Sequence, residues 1–431
     1  MRIAEHAILG PAPAAAEVTI AVDGRPLTAR AGEPILMALL AHGIARCRTM
    51  PDTGAPRGLF CGVGRCPDCA MTVDGVLNVR TCVTPVREGM RIETQQGLGH
   101  WGNDGRRMTN DESAPHAAEE PGEQPRPSSL VTRHSSLITR HSSFVIVGAG
   151  PAGLAAALAA ARAGARPLVL DEWPEPGGRL RHTLATVGDA RGVALAGRLA
   201  ERARESGVEF ATGAVAWGLF AENALGVALG EERAVTLRPE TVVLATGATD
   251  IAAPFPGWTL PGVFLTSAVE RAITLHRVVP GARFLVVGAG ADAVHAAETI
   301  RAGGGEVVAT VPAGAVRRAA GDGRVERATV ATDGGERDLA VDAVCLALGR
   351  VPDCALARQR DVALTYDAAR GGHLPARDAR GQTSVAGLYI AGEAAGALGA
   401  EAALRDGARV GCAAAGGDPA DADALVADLL A

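Results

Sequence analysis

The residues best placed to do chemistry are four cysteines with the spacing Cys61-x4-Cys66-x2-Cys69-x12-Cys82. Clustered cysteines in a chain with no visible secretory signal indicate metal binding rather than disulfides. Four thiolates at this spacing can hold a 2Fe–2S cluster, and glycines in the loop would let the backbone bend tightly around it. A structural zinc site is the alternative, but zinc sites more often use two short CxxC pairs, so the asymmetric spacing favours iron and sulfide.

The segment that contains these cysteines, residues 57–90, reads RGLFCGVGRCPDCAMTVDGVLNVRTCVTPVREGM. It resembles the small 2Fe–2S domains of the hydrogen cyanide synthase, octopine/nopaline oxidase and D-hydroxyproline dehydrogenase complexes. It is also similar to the N-terminal domain of the sarcosine oxidase alpha subunit. The interval before the fourth cysteine departs from plant-type ferredoxins and is closer to that of the succinate dehydrogenase iron–sulfur subunit.

A glycine-rich turn is the second candidate site. Gly148, Gly150 and Gly153 directly follow the apolar run FVIV and precede an alanine-rich helix. The next apolar run, PLVL, ends at Asp171, where a ribose-binding carboxylate is expected, and Glu172 beside it could share that role. Such a turn lets a diphosphate approach the backbone, and the helix N-terminus supplies amides and partial positive charge. This pattern predicts a dinucleotide site.

Two further segments favour FAD over NAD in that site. PGGRL (176–180) resembles the Gly-Gly segment that wraps FAD in thioredoxin-reductase-like flavoproteins, and LYIAGE (388–393) resembles their C-terminal motif, whose acid binds the ribitol. VVLATG (242–247) matches the strand that ends the first FAD half. The additional FAD residues implied by this resemblance are Gly177, Gly178, Arg179, Gly247, Gly392 and Glu393.

A second glycine-rich turn predicts an NAD(P)-type fold inserted into the FAD domain. Its residues are Gly288, Gly290 and Ala293, after another apolar run. The position expected to carry a ribose-binding acid is Val311, which weakens the case for NAD(P). Arg317 and Arg318 could meet a 2′-phosphate, or could be a solvated basic pair. NAD(P) therefore stays a possible cofactor, and the turn could equally hold another nucleotide or serve structure alone.

The catalytic residues stay unknown at this level. No CxxC pair lies in the flavin region, which argues against a disulfide reductase, because that chemistry needs a redox-active pair beside the flavin. The isolated histidines have surface or packing roles as the simplest interpretation. They are His182, His276, His295 and His373.

The elements that position these residues separate by composition. Two Asp-Gly turns, at 23–24 and 74–75, mark hairpins around a helix in 35–40, which predicts a small β-grasp ferredoxin-like domain. After a Pro-, Ser- and His-rich stretch with a near-repeat (128–143), apolar strands alternate with Ala-rich helices. The fold class is α/β: a Rossmann-like flavoprotein with two dinucleotide-binding domains, preceded by the ferredoxin-like domain. The predicted domains are an N-terminal extension (1–16), the 2Fe–2S domain (17–96), a disordered linker (97–143), the FAD domain (144–250 and 353–431) and the inserted NAD(P)-type domain (251–352).

Charge and hydropathy exclude several partners. The formal net charge of −6 argues against nucleic acid or an anionic membrane surface. The uncharged stretch 144–161 is long enough for a membrane span, but its glycine pattern favours the dinucleotide turn. These features, with the cysteine cluster, favour a cytoplasmic protein.

The resemblance implies an electron-transfer subunit of an amine or amino-acid dehydrogenase or oxidase complex of the sarcosine, opine or hydroxyproline type. A separate flavoprotein subunit would oxidise the amine. A free-standing NAD(P)H-dependent reductase that feeds a redox partner through its cluster is the alternative. A nucleotide-holding scaffold is disfavoured, because a scaffold has no use for four thiolates at cluster spacing.

Overall fold

The computed structural model describes residues 1–97, 143–230 and 233–430, which fall into two compact units. The first unit comprises residues 1–97 and Asp250–Gly349, and the second comprises residues 143–249 and 350–430. Most of the predicted linker, residues 98–142, and with it most of the near-repeat, lies outside the described residues. The domain boundaries drawn from the sequence stay predictions.

The N-terminal part of the first unit is a five-stranded sheet with one helix. Asp23 and Asp74 adopt positive φ angles, as do the glycines that follow them, which is the conformation that tight Asp-Gly hairpin turns require. Within this sheet, the strand Glu17–Val22 pairs in parallel with Arg91–Glu93, the strand that follows the second hairpin, as in a β-grasp fold. The helix Ile35–Ala41 buries its apolar residues in one core with this sheet. The strands in spatial order are Arg25–Arg30, Glu17–Val22, Arg91–Glu93, Ala70–Val73 and Val76–Arg80.

Two smaller sheets complete this part. Arg48–Thr49 lies between Gln95–Gln96 and Pro56–Arg57 in a three-stranded sheet. The N-terminal residues form a short hairpin, Glu5–His6 with Gly10–Pro11. The predicted N-terminal extension is therefore partly structured.

The rest of the first unit is a four-stranded parallel sheet with a small antiparallel sheet. The helix Thr266–Thr274 follows the first parallel strand, and the helix Ala291–Ala302 follows the strand Arg283–Gly288. Three of the strands are apolar and almost fully buried, as parallel strands covered on both faces are, whereas the edge strand Glu306–Val311 is only partly buried. The parallel strands in spatial order are Val263–Leu265, Ala343–Ala347, Arg283–Gly288 and Glu306–Val311. The antiparallel strands are Val316–Ala320, Arg327–Thr332 and Gly335–Ala340.

The second unit is built on a five-stranded parallel sheet. Its strands in spatial order are Glu209–Thr212, Pro167–Asp171, Phe144–Val147, Thr241–Leu244 and Leu388–Ile390. The main helices are Pro151–Arg162, Gly192–Glu205, Ala400–Ala414 and Pro419–Leu430. An antiparallel meander is made of Ala214–Leu219, Leu225–Leu229 and Arg233–Leu237, and a hairpin of Leu364–Asp367 and Gly372–Pro375. Short helical segments are Gly178–Arg181, Ala355–Arg358 and Gly392–Ala395.

The stretch that could have been read as a membrane span is a strand, a glycine turn and a helix of this unit. Among the described residues, no helix combines the length and the apolar character that crossing a bilayer requires.

Candidate cofactor sites

The four clustered cysteines meet at the open end of the second hairpin. Ala70 pairs with Arg80, so that Cys69 directly before this hairpin and Cys82 shortly after it lie side by side. Their thiols interact, as do those of Cys61 and Cys66 and those of Cys61 and Cys82. The backbone N–H of Cys66 also points at the Cys61 sulfur, at 3.4 Å.

The pairing of these thiols fits a two-iron centre. Within the described residues, no three His, Cys, Asp or Glu side chains are arranged around a single metal-ion position. A 2Fe–2S cluster on four cysteines instead takes two thiolates on each iron. The contacts of Cys61 with Cys66 and Cys82, and of Cys82 with Cys69, bring all four thiols together for such a centre.

Hydrogen bonds prepare two of the four thiols for the thiolate form. Bonds from Cys66 and Cys82 lower the pKa of Cys61, and the bond from Cys82 lowers the pKa of Cys69. The pKa values of Cys66 and Cys82 are raised, chiefly because each shares its proton with Cys61. Since the thiolate is the metal-ligating species, the donor set suits a cationic metal centre.

The cluster loop is buried on one side and accessible on the other. Cys61, Cys69 and Cys82 are buried, whereas Cys66 is half-buried between the exposed residues Arg65 and Pro67. The edge formed by Cys66 is therefore the solvent-facing edge of this centre.

The buried side of the loop packs on the inserted dinucleotide fold within the first unit. The backbone N–H of Leu265 donates to the carbonyl oxygen of Phe60 at 2.9 Å. The Phe60 ring meets Trp258 edge to face, with centroids 5.6 Å apart. Gly62 lies so close to Ala268 that a Cβ added to Gly62 would come within 2.7 Å of the Ala268 Cα. Sequence reasoning gave no sign of this packing.

The first glycine turn has the shape of a dinucleotide loop. A Cβ on Gly148, which has a φ of +104°, would collide with the Ala245 carbonyl oxygen, and a Cβ on Gly153 would collide with the Gly148 carbonyl oxygen. By contrast, a Cβ on Gly150 would meet no atom within 4 Å. Two glycines are thus required for close backbone packing, and the third leaves open space over the helix N-terminus, where a diphosphate would be received.

The Gly-Gly segment contacts this turn directly. The Gly177 N–H donates to the Ala149 carbonyl oxygen at 2.8 Å. A Cβ on Gly178 would come within 2.8 Å of the Gly150 Cα. Arg179 follows in the short helix Gly178–Arg181 and is half-buried. The structure thus brings together two glycine segments that sequence reasoning assigned separately to FAD.

The two predicted ribose acids differ in environment. Asp171 is buried, and its carboxylate accepts hydrogen bonds from the backbone N–H groups of Ala149 (2.5 Å) and Trp173 (2.8 Å). Burial raises the pKa of Asp171 to about 6. Glu172 is exposed. Asp171 therefore shapes the glycine turn itself, and a ribose contact by either acid remains a prediction.

The C-terminal FAD motif is held by charged residues that sequence reasoning missed. Glu393 forms an ion pair with Arg350 at 3.2 Å, and both side chains are largely buried. The Gly392 N–H donates to Oδ2 of Asp406 at 2.8 Å, and Arg377 pairs with the other oxygen of that carboxylate at 2.8 Å. No local pattern marks Arg350 or Asp406, since each meets its partner only through tertiary folding.

Gly247 lies in the turn after the strand Thr241–Leu244. It has a φ of +74°, and its carbonyl oxygen accepts a hydrogen bond from the Asp353 N–H at 2.9 Å. Thr246 donates its hydroxyl to the Asp353 carbonyl oxygen at 2.7 Å. The turn therefore joins the two chain segments from which the second unit is assembled.

The second glycine turn has a similar backbone. A Cβ on Gly288 would collide with the Ala347 carbonyl oxygen, Gly290 has a φ of +75° with open space beside it, and Ala293 is buried. However, the first turn of the following helix carries Asp292, whose negative charge opposes phosphate at that position.

Two features could contact the nucleotide ribose in this second site: an acid at the end of the strand, and the pair Arg317 and Arg318. Neither is placed to make that contact. The strand Glu306–Val311 ends without a carboxylate. Arg317 donates to the Gly314 carbonyl oxygen at 3.0 Å, and Arg318 donates to the Thr329 hydroxyl at 3.1 Å. Arg318 thus stabilises the neighbouring antiparallel sheet, and Arg317 pairs with Glu336 of the same sheet at 3.7 Å.

No catalytic residue emerges from the remaining candidates. His182 is buried, His295 lies 3.6 Å from Glu298 on a helix surface, and the His373 ring meets Tyr366 edge to face. The His276 backbone N–H donates to the Arg271 carbonyl oxygen. All eight cysteines are free thiols.

Comparisons with known proteins agree with both sites. Residues 15–97 match the family described as "2Fe-2S iron-sulfur cluster binding domain", and residues 142–313 match "Pyridine nucleotide-disulphide oxidoreductase". The opine oxidase A subunit from Rhizobium meliloti (strain 1021) is 31% identical over 64% of this chain and 72% of its own length. Hydrogen cyanide synthase subunit HcnA from Pseudomonas aeruginosa is 44% identical over 19% of this chain and 76% of its own length.

The fold comparison extends over nearly the whole chain. The crystal structure of L-proline dehydrogenase from P. horikoshii has a TM-score of 0.75 and 25% identity, and the match covers 96% of this chain and 78% of that one. The chain spans 62% of the length of the opine oxidase A subunit from Agrobacterium tumefaciens (strain Ach5), which is 31% identical over 60% of this chain.

Fold, sites and comparisons together define an FAD-dependent oxidoreductase that carries its own 2Fe–2S domain. Within that class, the chain belongs to the family that includes the opine oxidase A subunits. The predicted fold class and the two cofactors, FAD and the 2Fe–2S cluster, are confirmed.

Proposed function

We propose that this chain is the electron-transfer subunit of an amine or amino-acid dehydrogenase or oxidase complex. The substrate is a secondary amine or amino acid of the sarcosine, opine or hydroxyproline type, and a separate flavoprotein subunit oxidises it. The names of the relatives, which are subunits of oxidase and synthase complexes, support this proposal. Four thiols that must stay reduced until iron is loaded suit the cytoplasm.

Whether this chain is a relay subunit or a nicotinamide-dependent reductase depends on whether NAD(P)H binds at the second glycine turn. Val311 stands where a ribose-binding acid would stand, and Arg317 and Arg318 are engaged in the adjoining sheet. Asp292 adds negative charge beside the position of a diphosphate. These features favour a source of electrons other than NAD(P)H.

The residues proposed for the cofactors have distinct tasks. When bound, FAD supplies two-electron hydride chemistry and the 2Fe–2S cluster supplies one-electron transfer. Gly150 leaves room for the diphosphate, and Gly178 lets the Gly-Gly segment pack against Gly150. Asp171 fixes the turn, and Arg350 holds the Glu393 carboxylate, the group that would bind the ribitol. The fold buries three of the four cluster cysteines, Cys61, Cys69 and Cys82, and leaves Cys66 half-buried.

A free-standing NAD(P)H-dependent reductase is the second candidate. The open space at Gly290, together with the close packing at Gly288, favours it, because these are the features that let a diphosphate approach a helix N-terminus. This candidate requires the nucleotide to bind without a carboxylate on its ribose.

Anaerobic visible spectroscopy of the purified chain distinguishes the two. We expect no bleaching of the flavin band by NADH or NADPH, no bleaching by a panel of secondary amines and amino acids, and complete bleaching by dithionite. Adding the amine-oxidising partner subunit with its substrate should then reduce the flavin. Rapid bleaching by substoichiometric NADH or NADPH, lost in a Gly290→Val variant, would establish the reductase instead.

A further inference from the structure

One arginine side chain holds both residues that separate two of the cluster cysteines. Arg48 donates from Nε to the carbonyl oxygen of Pro67 at 2.9 Å and from Nη2 to Oδ1 of Asp68 at 3.2 Å. Pro67 and Asp68 are the only residues between Cys66 and Cys69. The guanidinium therefore hydrogen-bonds to both residues that connect Cys66 to Cys69.

The position of Arg48 is itself well fixed. Its side chain is only 3% exposed, although arginine is seldom buried so completely. It extends from the middle strand of a three-stranded sheet, and its Nη1 points at the Met50 sulfur at 3.3 Å. A buried guanidinium must have hydrogen-bond and charge partners, and here the cluster loop supplies two of the three.

Arg48 also balances a negative charge beside the cluster. Asp68 lies 3.2 Å from Arg48 and 3.6 Å from Arg57, and it is close enough to Cys61 to interact electrostatically. Reduction adds negative charge to the centre, so a nearby cation favours the reduced state and an uncompensated carboxylate opposes it. The Arg48–Asp68 pair is placed to act on this balance.

We propose that Arg48 is a positioning residue of the 2Fe–2S centre. It fixes the segment between Cys66 and Cys69 through its forked hydrogen bonds, and together with Asp68 it sets the reduction potential of the cluster. Lysine cannot replace it fully, because an ammonium group lacks the planar fork that reaches two acceptors at once. This role requires the cluster but no particular substrate. The proposed role of Arg48 and the proposed function of the chain can therefore be tested, and can fail, independently of each other.

Four variants of the full chain separate the fork from the charge. They are Arg48→Lys, Arg48→Met, Asp68→Asn and the double variant Arg48→Met/Asp68→Asn. Arg87→Met is the matched control, because Arg87 forms an exposed pair with Asp74 at 3.5 Å in the same N-terminal part of the first unit. The measurements are the midpoint potential, the electron paramagnetic resonance spectrum of the dithionite-reduced cluster, and the rate of cluster loss to an iron chelator.

We expect opposite shifts of the potential. Arg48→Met should lower it and Asp68→Asn should raise it, each changing the reduced-to-oxidised ratio at fixed poise about tenfold, or about 59 mV for one electron. Arg48→Lys and the double variant keep the net charge, so their potentials should stay near that of the parent. Both lose the fork, however, and should lose iron about 10-fold faster with a broadened spectrum.

Some results would overturn the proposal. Unchanged reduction potentials in Arg48→Met and Asp68→Asn, or shifts in the same direction, would show that the charges of Arg48 and Asp68 do not set the potential of the cluster. Iron loss at the parental rate in Arg48→Lys would contradict the role proposed for the forked hydrogen bonds. If Arg48→Met does not fold, Asp68→Asn and Arg48→Lys still decide both points, because Asp68→Asn keeps the bond to the Pro67 carbonyl. Arg87→Met should match the parent throughout.

Discussion

The backbone N–H of Leu265 donates to the carbonyl oxygen of Phe60, the residue before the first cluster cysteine, at 2.9 Å. Leu265 ends a strand of the inserted dinucleotide fold, so this bond joins that fold to the cluster loop within one compact unit. Gly62 against Ala268 and Phe60 against Trp258 complete the contact. The cluster is thus docked rather than carried on a free domain.

Replacing Gly62 by alanine should loosen this docking. The new Cβ would lie 2.7 Å from the Ala268 Cα, and the φ of +67° is strained for alanine. We expect the strain alone to cost about 1 kcal/mol and the collision to add about 2 kcal/mol more. Thermal unfolding followed by cluster absorbance would measure this loss.

Gly75→Ala is the control for that variant. Gly75 lies in the turn of the second hairpin with a φ of +79°, but an added Cβ meets nothing within 4 Å. It should therefore show the strain without the collision. Equal destabilisation in the two variants would mean that the Gly62–Ala268 contact is not needed for stability.

Gly150→Ala should lose flavin and keep its fold. Gly150 has a φ of −72° and open space where its Cβ would point, so alanine should change stability by less than about 0.5 kcal/mol. The same methyl group would occupy the space proposed for the diphosphate. We expect FAD affinity to fall at least about tenfold, measured by flavin fluorescence titration.

Gly197→Ala provides the comparison for the flavin measurement. Gly197 lies within the helix Gly192–Glu205 and an added Cβ meets nothing within 4 Å. This substitution should raise stability by up to about 1 kcal/mol and leave FAD affinity unchanged. Parental FAD affinity in Gly150→Ala would show that the diphosphate does not approach at Gly150.

Glu393→Gln should weaken both the second unit and flavin binding. The Glu393 and Arg350 side chains are 14% and 17% exposed, so solvent screens their attraction only partly. Loss of this charge-assisted bond should cost about 2 kcal/mol in urea unfolding and lower FAD affinity. Glu401→Gln breaks an exposed pair with Arg405 and should change stability by less than about 0.5 kcal/mol. Identical losses in the two variants would contradict a special role for Glu393.

The stability contribution of Asp171 should depend on pH in a defined direction. Its folded pKa is raised to about 6 by burial, above the ordinary value of 3.8, so the folded state binds this proton more tightly than the unfolded state. The stabilisation is complete below about pH 4 and is lost as the pH rises to about 6. Relative to Asp171→Asn, the parent should lose up to about 3 kcal/mol over that range in urea unfolding. Parallel curves for the two proteins would show that Asp171 keeps an ordinary pKa.

Local sequence patterns predicted much of the secondary structure. The strand Phe144–Val147 has the bounds of the apolar run FVIV, because an apolar run that ends at a glycine turn has few alternatives. The run VVLATG is strand only to Leu244, since the residues after it turn beneath Gly148. Strand identity was thus easier to predict than the point where each strand ends.

Tertiary partners could not be read from the chain. Arg48 and Pro67 are far apart in sequence, as are Arg350 and Glu393, and nothing local distinguishes these arginines from exposed ones. Similarly, no pattern announced that the cluster loop would share a core with Val263 and Leu265. Glycine spacing identifies where a cofactor can approach, whereas the charges around it are set by long-range packing.

The position of Leu388–Ile390 has a consequence for how the protein is made. This edge strand completes the parallel sheet begun by Phe144–Val147, and the residues that follow it include Glu393 and Asp406. A ribosome therefore delivers both glycine segments of the flavin site long before it delivers the last strand. Synthesis of the inserted fold falls in between. We therefore expect stable FAD binding only after translation has passed Asp406, and a nascent chain stalled earlier should hold the iron–sulfur cluster without a flavin.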